Sequence, residues 1–308
     1  MTARRPPILT MITIEPPSTS SISNATLFGL NRARCLCHAL LGMVALVGSA
    51  ADAQRVATTA PKWHLVWDDE FNGAAGALPD ASRWTFDLGG SGNGNHELET
   101  YTDRAANVQQ RDGNLVITAL KEDHMGPDGI PRNYTSARIK TQGLFAQTYG
   151  RFEARIKMPL GKGIWPAFWM LGSDIDSVHW PQCGEIDIVE NIDEAGISYS
   201  TLHGPGYSGR KAISAKYALP AAQAVNSAFH VYAVEWAPKD IKFFLDDHLI
   251  AERTPADLPS GTQWVYDHPF FLILNLAVGG DWPGNPDATT SFPQQMLVDY
   301  VRVSTRQP

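Results

Sequence analysis

Residues 184–191 constrain the fold of this chain more than any other segment. They read Gly-Glu-Ile-Asp-Ile-Val-Glu-Asn, so three acids are interspersed with three branched apolar residues. In a β-strand, Glu185 and Asp187 point to one face while the isoleucines point to the other, where they can be buried. Strict alternation would leave Glu190 on the apolar face. One extra residue in the strand, a β-bulge, brings Glu190 beside the other two acids, and bulges are frequent next to active sites.

Two carboxyl groups that flank a glycosidic bond are sufficient to catalyse its hydrolysis. One acts as the nucleophile, and the other acts first as acid and then as base. On a bulged strand the Cα atoms of Glu185 and Glu190 are roughly 13 Å apart. Inward-leaning side chains bring their carboxyl groups to the ~5–5.5 Å of a retaining double displacement. Asp187 lies between them, and a proton shared with Glu185 relieves the repulsion. The alternatives are a solvated acidic edge strand or a calcium site, but the apolar back face favours catalysis.

The chain after residue 60 is patterned almost entirely as β-structure. Residues 152–158 alternate apolar and polar, as a strand with one buried face does. The runs 231–236, 241–245 and 248–252 are short, rich in Val, Phe and Ile, and separated by turn residues, which predicts an antiparallel meander. Residues 270–278 form an apolar run that suits a strand buried on both faces. The pattern predicts two packed antiparallel sheets.

The acidic octapeptide resembles the signature of glycoside hydrolase family 16, in the form with two residues between the aspartate and the second glutamate. The resemblance implies that Glu185 is the nucleophile, that Asp187 assists it and that Glu190 is the acid/base. Further segments that resemble strands of the family are 67–73, 165–171, 275–280 and 298–303. The resemblance covers roughly residues 63–304. It implies an all-β fold, an antiparallel β-sandwich of jelly-roll type with a substrate cleft across the concave sheet.

A cleft for sugars is expected to be lined with aromatic side chains, because apolar sugar faces stack on rings while hydroxyls hydrogen-bond at the rim. All nine tryptophans follow residue 53. Trp165 and Trp169 share one face of a strand, and Trp180 and Trp282 lie in loop-like surroundings that suit subsite platforms. We therefore predict that these four contact substrate. Trp63, Trp67, Trp84 and Trp236 suit the core.

The resemblance adds four candidate substrate residues, namely Asn95 in an Asn-rich loop, Arg138, His203 after the acidic strand, and Asn275. The loop departs from the family pattern at His96 and Glu99, where a second Asn and a Gln are usual. Asn95 is the loop position that carries over.

No cofactor is expected for catalysis, and no His/Cys cluster has metal-ligand spacing. Many relatives hold a structural calcium ion on the convex side, away from the cleft. Glu70, Gly113 and Asp299 match its usual positions, with backbone carbonyls supplying part of the oxygen shell.

Residues 1–53 predict a leader with a secretory signal peptide. Arg32 and Arg34 precede an apolar run over 40–47, and residues 51–53 fit a small-residue cleavage pattern. The run is too short to span a bilayer. We expect a secreted or periplasmic protein, not attached to a membrane after signal removal, with a short disordered segment at 54–62 and a single catalytic domain at 63–308.

The leader holds two excess positive charges and the whole chain carries −7, so residues 54–308 are near −9. This acidic balance argues against nucleic-acid and anionic-membrane partners, and mildly against a heavily sulfated polysaccharide. Cys183 is the only cysteine after the leader, and we expect a small buried thiol rather than a nucleophile. We expect a monomer whose partner is its polysaccharide substrate.

Three functional hypotheses follow. The first is a secreted, retaining endo-glycosidase that hydrolyses β-1,3-glucan such as laminarin, and also mixed-linkage β-1,3-1,4-glucan. The second changes the substrate to a galactan such as agarose, carrageenan or porphyran. The third is a non-catalytic β-glucan-binding protein on the same sandwich, against which the intact set of three acids argues.

Overall fold

The computed structural model describes residues 62–193, 196–219 and 224–307. All of them belong to one compact unit, residues 58–308. The predicted leader at 1–53 and the predicted disordered segment at 54–62, apart from Lys62, lie outside the described residues. Within the described part of the chain, no helix is long and apolar enough to cross a membrane.

Strands dominate the described residues, as the sequence predicts. The strands are β1 (Trp63–Asp69), β2 (Thr85–Asp87), β3 (Glu99–Tyr101), β4 (Val108–Arg111), β5 (Asn114–Ala119), β6 (His124–Met125), β7 (Pro131–Arg132), β8 (Tyr134–Ser136), β9 (Arg138–Lys140), β10 (Gly150–Lys157), β11 (Ile164–Gly172), β12 (Glu185–Glu190), β13 (Ile197–His203), β14 (Ile213–Ala218), β15 (His230–Ala237), β16 (Asp240–Leu245), β17 (His248–Arg253), β18 (Phe270–Val278) and β19 (Gln294–Arg306). The helical pieces are α1 (Ile175–Val178) and the 3₁₀ turns Gly209–Lys211 and Pro255–Asp257.

Two antiparallel sheets form the sandwich. One sheet has the order β17-β16-β15-β10-β19-β5-β4, and β1 also pairs with β19. The other has the order β14-β13-β12-β11-β18-β9-β2 and carries the candidate site. Two short pairs, β3 with β8 and β6 with β7, lie outside these sheets. The predicted sandwich of antiparallel sheets is confirmed.

The strand patterns read from the sequence are confirmed individually. β10 alternates buried and half-buried residues along its whole length. β15, β16 and β17 pair in sequence order, which is the predicted meander. Asp246 and Asp247 both have positive φ, as the two central residues of a tight hairpin turn require.

Apolar side chains from both sheets meet in one buried core. Ile186, Ile188 and Val189 of β12 contribute to it and are at most 1% exposed. Every residue of β18 is buried, which confirms the prediction for this run. Its opposite face packs a smaller apolar cluster with Leu171 and Cys183. The core therefore anchors the strands whose outer face carries polar side chains.

Candidate active site

A bulge in β12 places its three acids on one face. Asp187 pairs with Trp169 of β11, and Val189 pairs with Phe168, so Ile188 is the additional residue. The register with β13 shifts at the same place. The predicted bulge is confirmed, and it sends Ile188 and Val189 into the core while the acids face outward.

Strand register brings further predicted residues into line with the acids. Glu190 lies opposite Tyr199 of β13 and Ala167 of β11. Ala167 in turn lies opposite Asn275 of β18, and Asn275 lies opposite Arg138 of β9. Laterally paired residues point to the same face of a sheet. We call this outer face of the seven-stranded sheet the site face.

Glu185, Asp187 and His203 form a cluster on the site face. The Nε2 atom of His203 lies 3.1 Å from Oδ2 of Asp187 and 3.7 Å from Oε1 of Glu185. The carboxyl groups of Glu185 and Asp187 are close enough to share a hydrogen bond. Such a bond requires one proton between two acids, since a carboxylate has no donor of its own. The indole N–H of Trp180 donates to Oε2 of Glu185 at 2.7 Å.

A hydrogen bond at Nδ1 indicates the tautomer of His203. The backbone N–H of Gly209 donates to Nδ1 at 3.1 Å, so the imidazole proton is on Nε2, the nitrogen nearer the carboxyl groups. One ligand atom each from Glu185, Asp187 and His203 lies within 4.8 Å of the others, close enough to hold a metal ion. A metal would need the lone pair on Nε2, so this tautomer suits a hydrogen-bonding cluster better.

Glu190 occupies the other side of the bulge. It is 8% exposed, and its Oε1 accepts a hydrogen bond of 3.0 Å from the indole N–H of Trp165. That bond leaves the second carboxyl oxygen available to carry a proton. Trp180 and Trp165 therefore each hold one of the two outer acids.

Burial dominates the electrostatics of the three acids. It raises the pKa of Glu185 to about 8, with the charge of Asp187 adding to the effect and His203 opposing it. Burial also raises the pKa of Asp187 to about 7. For Glu190, burial and then the charge of Asp187 raise the pKa well above its usual value. These shifts favour a protonated Glu190 beside a pair that shares a proton.

Exposed aromatic rings flank the acids on both sides. The side chains of Trp180 and Trp282 are 46% and 41% exposed. Trp282 packs edge-on against Trp165 at 5.6 Å and against Tyr199 at 5.0 Å between ring centroids. Trp180 lies 6.1 Å from the ring of His203. Aromatic surface of this kind, next to polar groups, is what a sugar ring binds. Trp84 and Trp236, by contrast, are core residues, as predicted.

Asn275, Trp169 and Arg138 form the floor of the site face beyond Glu190. The indole N–H of Trp169 donates to Oδ1 of Asn275 at 2.7 Å. The guanidinium of Arg138 lies 4.7 Å from the centre of the Trp169 ring, and its Nε is 2.8 Å from Oδ2 of Asp87. Three predicted substrate residues therefore contact one another.

Asn95 lies in an exposed loop at the end of β18. Its carbonyl accepts from the N–H of Asp281 at 2.9 Å, and its side-chain amide donates to Glu97 at 3.3 Å. Its neighbour His96 bonds the carboxylate of Asp281 at 3.0 Å. The loop is thus tied to the segment that carries Trp282.

The predicted calcium residues lie together, away from the acids. β1 pairs with β19 up to Val301, and β5 pairs with β19 from Val298, so Asp299 sits at the junction. Glu70 follows β1 and Gly113 precedes β5. Both carboxylate oxygens of Glu70 accept from Arg302, and Oδ2 of Asp299 accepts from Arg155 at 2.6 Å. A calcium ion here would therefore be bound largely through backbone carbonyls, and the site stays a prediction.

Cys183 is a buried free thiol in the smaller apolar cluster. Burial, with the charges of Asp174 and Glu185, raises its pKa to about 11. It is therefore a buried, protonated thiol, and the sequence prediction of a buried thiol is confirmed.

Three residues on or beside the site face were not predicted from the sequence. Tyr199 packs on Trp282, the hydroxyl of Tyr101 accepts from Asn275 at 3.1 Å, and Glu97 accepts from Tyr101 at 3.2 Å. Alternation in β13 could have indicated Tyr199, since it lies two residues from Thr201, which pairs with Asp187. Nothing local indicates the other two contacts.

Comparison with known proteins identifies the family. The model for glycosyl hydrolases family 16 matches residues 95–302. The chain belongs to glycoside hydrolase family 16. Within the family it is 40% identical over 272 residues to a β-glucanase of Rhodothermus marinus, covering 84% of this chain and 91% of that one.

Solved family 16 structures confirm the jelly-roll sandwich. An endo-β-1,3-glucanase from Pyrococcus furiosus aligns with a TM-score of 0.77 and 47% identity, covering 80% of this chain and 96% of that chain. A keratan-sulfate endo-1,4-β-galactosidase of Sphingobacterium multivorum is 35% identical over 255 residues, 82% of this chain and 57% of that protein. The family thus includes relatives with different sugar specificity.

Proposed function

We propose that this chain is a retaining endo-β-1,3-glucanase that hydrolyses laminarin-like glucan, and mixed-linkage β-1,3-1,4-glucan in addition. The observation that carries the proposal is the arrangement of three buried acids across one bulge, with exposed tryptophans on either side. The relatives named β-glucanase and endo-β-1,3-glucanase support the choice of glucan.

In the first step Glu185 attacks the anomeric carbon. Its proton passes to Asp187, to which it is hydrogen-bonded, and Trp180 holds its second oxygen. Glu190 is protonated and donates its proton to the leaving glycosidic oxygen. The low-dielectric surroundings that raise the pKa of Glu190 also make it an effective acid near neutral pH.

In the second step Glu190, now a carboxylate, takes a proton from water, which attacks the glycosyl-enzyme. The ester bond to Glu185 breaks, and the product keeps the anomeric configuration of the substrate. The Nε2 atom of His203, 3.1 Å from Asp187 and 3.7 Å from Glu185, helps to stabilise the single negative charge that the pair carries before the attack and regains when the ester breaks. Proton NMR of the first product detects the retained configuration.

Substrate binding uses the tryptophans and the floor of the site face. Trp180 and Trp282 offer stacking surfaces on the two sides of the acids, and Asn95, Asn275 and Arg138 offer hydrogen bonds to hydroxyls. A galactan remains the second candidate, because the keratan-sulfate galactosidase is a relative. The acidic charge of the chain disfavours that sulfated polymer.

The deciding experiment is reducing-sugar release from laminarin, lichenan, agarose and carrageenan in parallel, with Glu185→Gln as the inactive control. Release from laminarin, with lichenan second, supports the proposal. Release from a galactan alone would keep the mechanism and overturn the substrate. Binding of laminarin without release would assign the protein to the binding class.

Under this proposal the enzyme acts outside the cytoplasm, because a polysaccharide has to be cut where it lies. It functions as a monomer, since one chain supplies every residue of the site. A calcium ion held by Glu70, Gly113 and Asp299 would stabilise the fold at a distance from the acids. Chelation is then expected to lower the Tm and to leave kcat unchanged at low temperature.

A further inference from the structure

Two buried acids beside the site face take no part in the proposed chemistry. Glu97 is 4% exposed and Glu99 is 1% exposed. They lie where the Asn95 loop enters β3, next to the end of β18, whose Val278 carbonyl accepts from the N–H of Leu98 at 2.8 Å. Burying a carboxyl group costs free energy unless the group is paired or hydrogen-bonded, so both acids are expected to have partners.

Glu97 connects the Asn95 loop to the floor of the site. Its carboxylate accepts from the side-chain amides of Asn93 at 2.9 Å and Asn95 at 3.3 Å. It also accepts from the hydroxyl of Tyr101, which accepts from Asn275. Asn275 in turn accepts from the indole of Trp169. A continuous chain of hydrogen bonds therefore runs from the loop to the aromatic floor.

Glu99 lies next to Glu97 and extends this series of hydrogen bonds to the backbone of β18. Its Oε2 accepts from the backbone N–H of Val278 at 2.7 Å. Its Oε1 is buried, and no N–H or hydroxyl of the described residues donates to it. The carboxyl group of Glu97 lies beside it, and its charge contributes to the raised pKa of Glu99. Because Glu97 already receives three donors, the proton between the two acids belongs to Glu99.

The charges around the pair favour one proton and one negative charge. Burial and then the charge of Glu97 raise the pKa of Glu99 well above its usual value. Tyr101 is neutral, because burial and the two acids raise its pKa well above 10. Arg138 is the nearby cation and is neutralised by Asp87. On the loop, His96 is paired with Asp281.

We propose that Glu99 is a positioning residue that, as a neutral acid, donates to Glu97 and so holds Asn95, Asn275 and Trp169 in their binding geometry. The inference rests on the proposed function, since that function assigns substrate binding to these three residues. Loss of the Glu99 proton at alkaline pH leaves two carboxylates in contact, and their repulsion breaks the chain. Substrate binding then weakens while the catalytic acids on β12 stay in place.

The test uses Glu99→Gln in the full chain. A glutamine amide donates to Glu97 and its carbonyl accepts from Val278 at every pH. This variant therefore keeps the chain of hydrogen bonds intact. We measure KM and kcat on laminarin from about pH 6 to about pH 10, and Tm at each pH. Glu185, Asp187 and Glu190 titrate in both proteins, so the ratio of the two KM values isolates the effect of Glu99.

The expected result is equal KM at the acidic end, and a wild-type KM about three- to tenfold above that of the variant at the alkaline end, the scale of one lost hydrogen bond. The kcat values of the wild type and of Glu99→Gln should show the same dependence on pH. A ratio that stays at one, or a change in kcat alone, would overturn the inference. Absence of laminarin hydrolysis by the wild type would instead refute the proposed function.

Glu97→Gln is a second variant, which tests the same inference if Glu99→Gln does not fold. Its amide N–H groups oppose the donors from Asn93 and Asn95, so KM should rise by about tenfold at every pH. A KM equal to that of the wild type at all pH values would show that Glu97 does not join the loop to the floor.

Discussion

Replacing a buried acid of β12 by its neutral isostere should stabilise the fold, and the gain should grow with pH. Glu185→Gln is the most informative case. The Glu185 side chain is 16% exposed, accepts from the indole of Trp180 and is hydrogen-bonded to Asp187. Glutamine reproduces its protonated form, because the amide N–H donates to Asp187 while the carbonyl accepts from Trp180. The variant therefore removes the charge and keeps the contacts.

The magnitude follows from the raised pKa. Burial, and then the charge of Asp187, raise the pKa of Glu185 from 4.5 to about 8. Between these values the folded state binds more protons than the unfolded state, so wild-type stability falls as pH rises through this window. Each pH unit inside it adds about 1.4 kcal/mol to the difference in unfolding free energy. At pH 7 we expect about 2 kcal/mol, below the limit of about 3 kcal/mol, because Asp187 shares the proton.

Thermal and urea unfolding of both proteins at several pH values measure this difference. At pH 4 the two should be equally stable, and at pH 7 the variant should melt about 4–8 °C higher. Asp103→Asn, which replaces an exposed carboxylate, is the control and should show no such trend. A stability difference that is constant with pH, or that shrinks as pH rises, would refute the electrostatic argument.

Two further predictions concern binding and rate. Trp180→Ala should weaken the binding of a laminari-oligosaccharide, measured by calorimetry, by about 1–3 kcal/mol; a loss of Tm without a loss of affinity would make this exposed ring structural instead. Asp187→Asn removes a charge that raises the pKa of Glu185, so the acid limb of the kcat/KM profile should move to lower pH. Its kcat should also fall by about 10²-fold or more, since Asn cannot take up the proton. An acid limb at the wild-type position would contradict that assignment.

Local sequence patterns predict the strand that carries the acids. Alternation around Glu185 and Asp187 identifies β12, and the surplus apolar residue before Glu190 identifies the bulge. The continuous apolar run predicts the buried strand β18. Short apolar runs separated by turn residues predict the meander of β15 to β17. These features depend on neighbours in the chain, and a side-chain period of two fixes which face each residue occupies.

The rest of the site depends on contacts between distant segments. Asn275 meets Tyr101 across 174 positions and meets Trp169 across 106. Trp282 packs against Tyr199 because the strand order β13-β12-β11-β18 brings the two together. Sheet order and the mutual registers of the strands are not encoded by any single segment. The role of Glu97, an acid in a polar loop, was for that reason invisible in the sequence.

The position of the last strand has a consequence for synthesis. β19 pairs on one side with β10 and on the other with β5 and β1, so without it this sheet falls into separate pieces. Among the described strands β19 is synthesised last, more than two hundred residues after β1. This sheet therefore cannot be completed before Arg306 has been synthesised, and pairing across such separations is slow. Until then the apolar face of the partly formed sheet stays exposed, and truncation before residue 294 should yield an aggregating product.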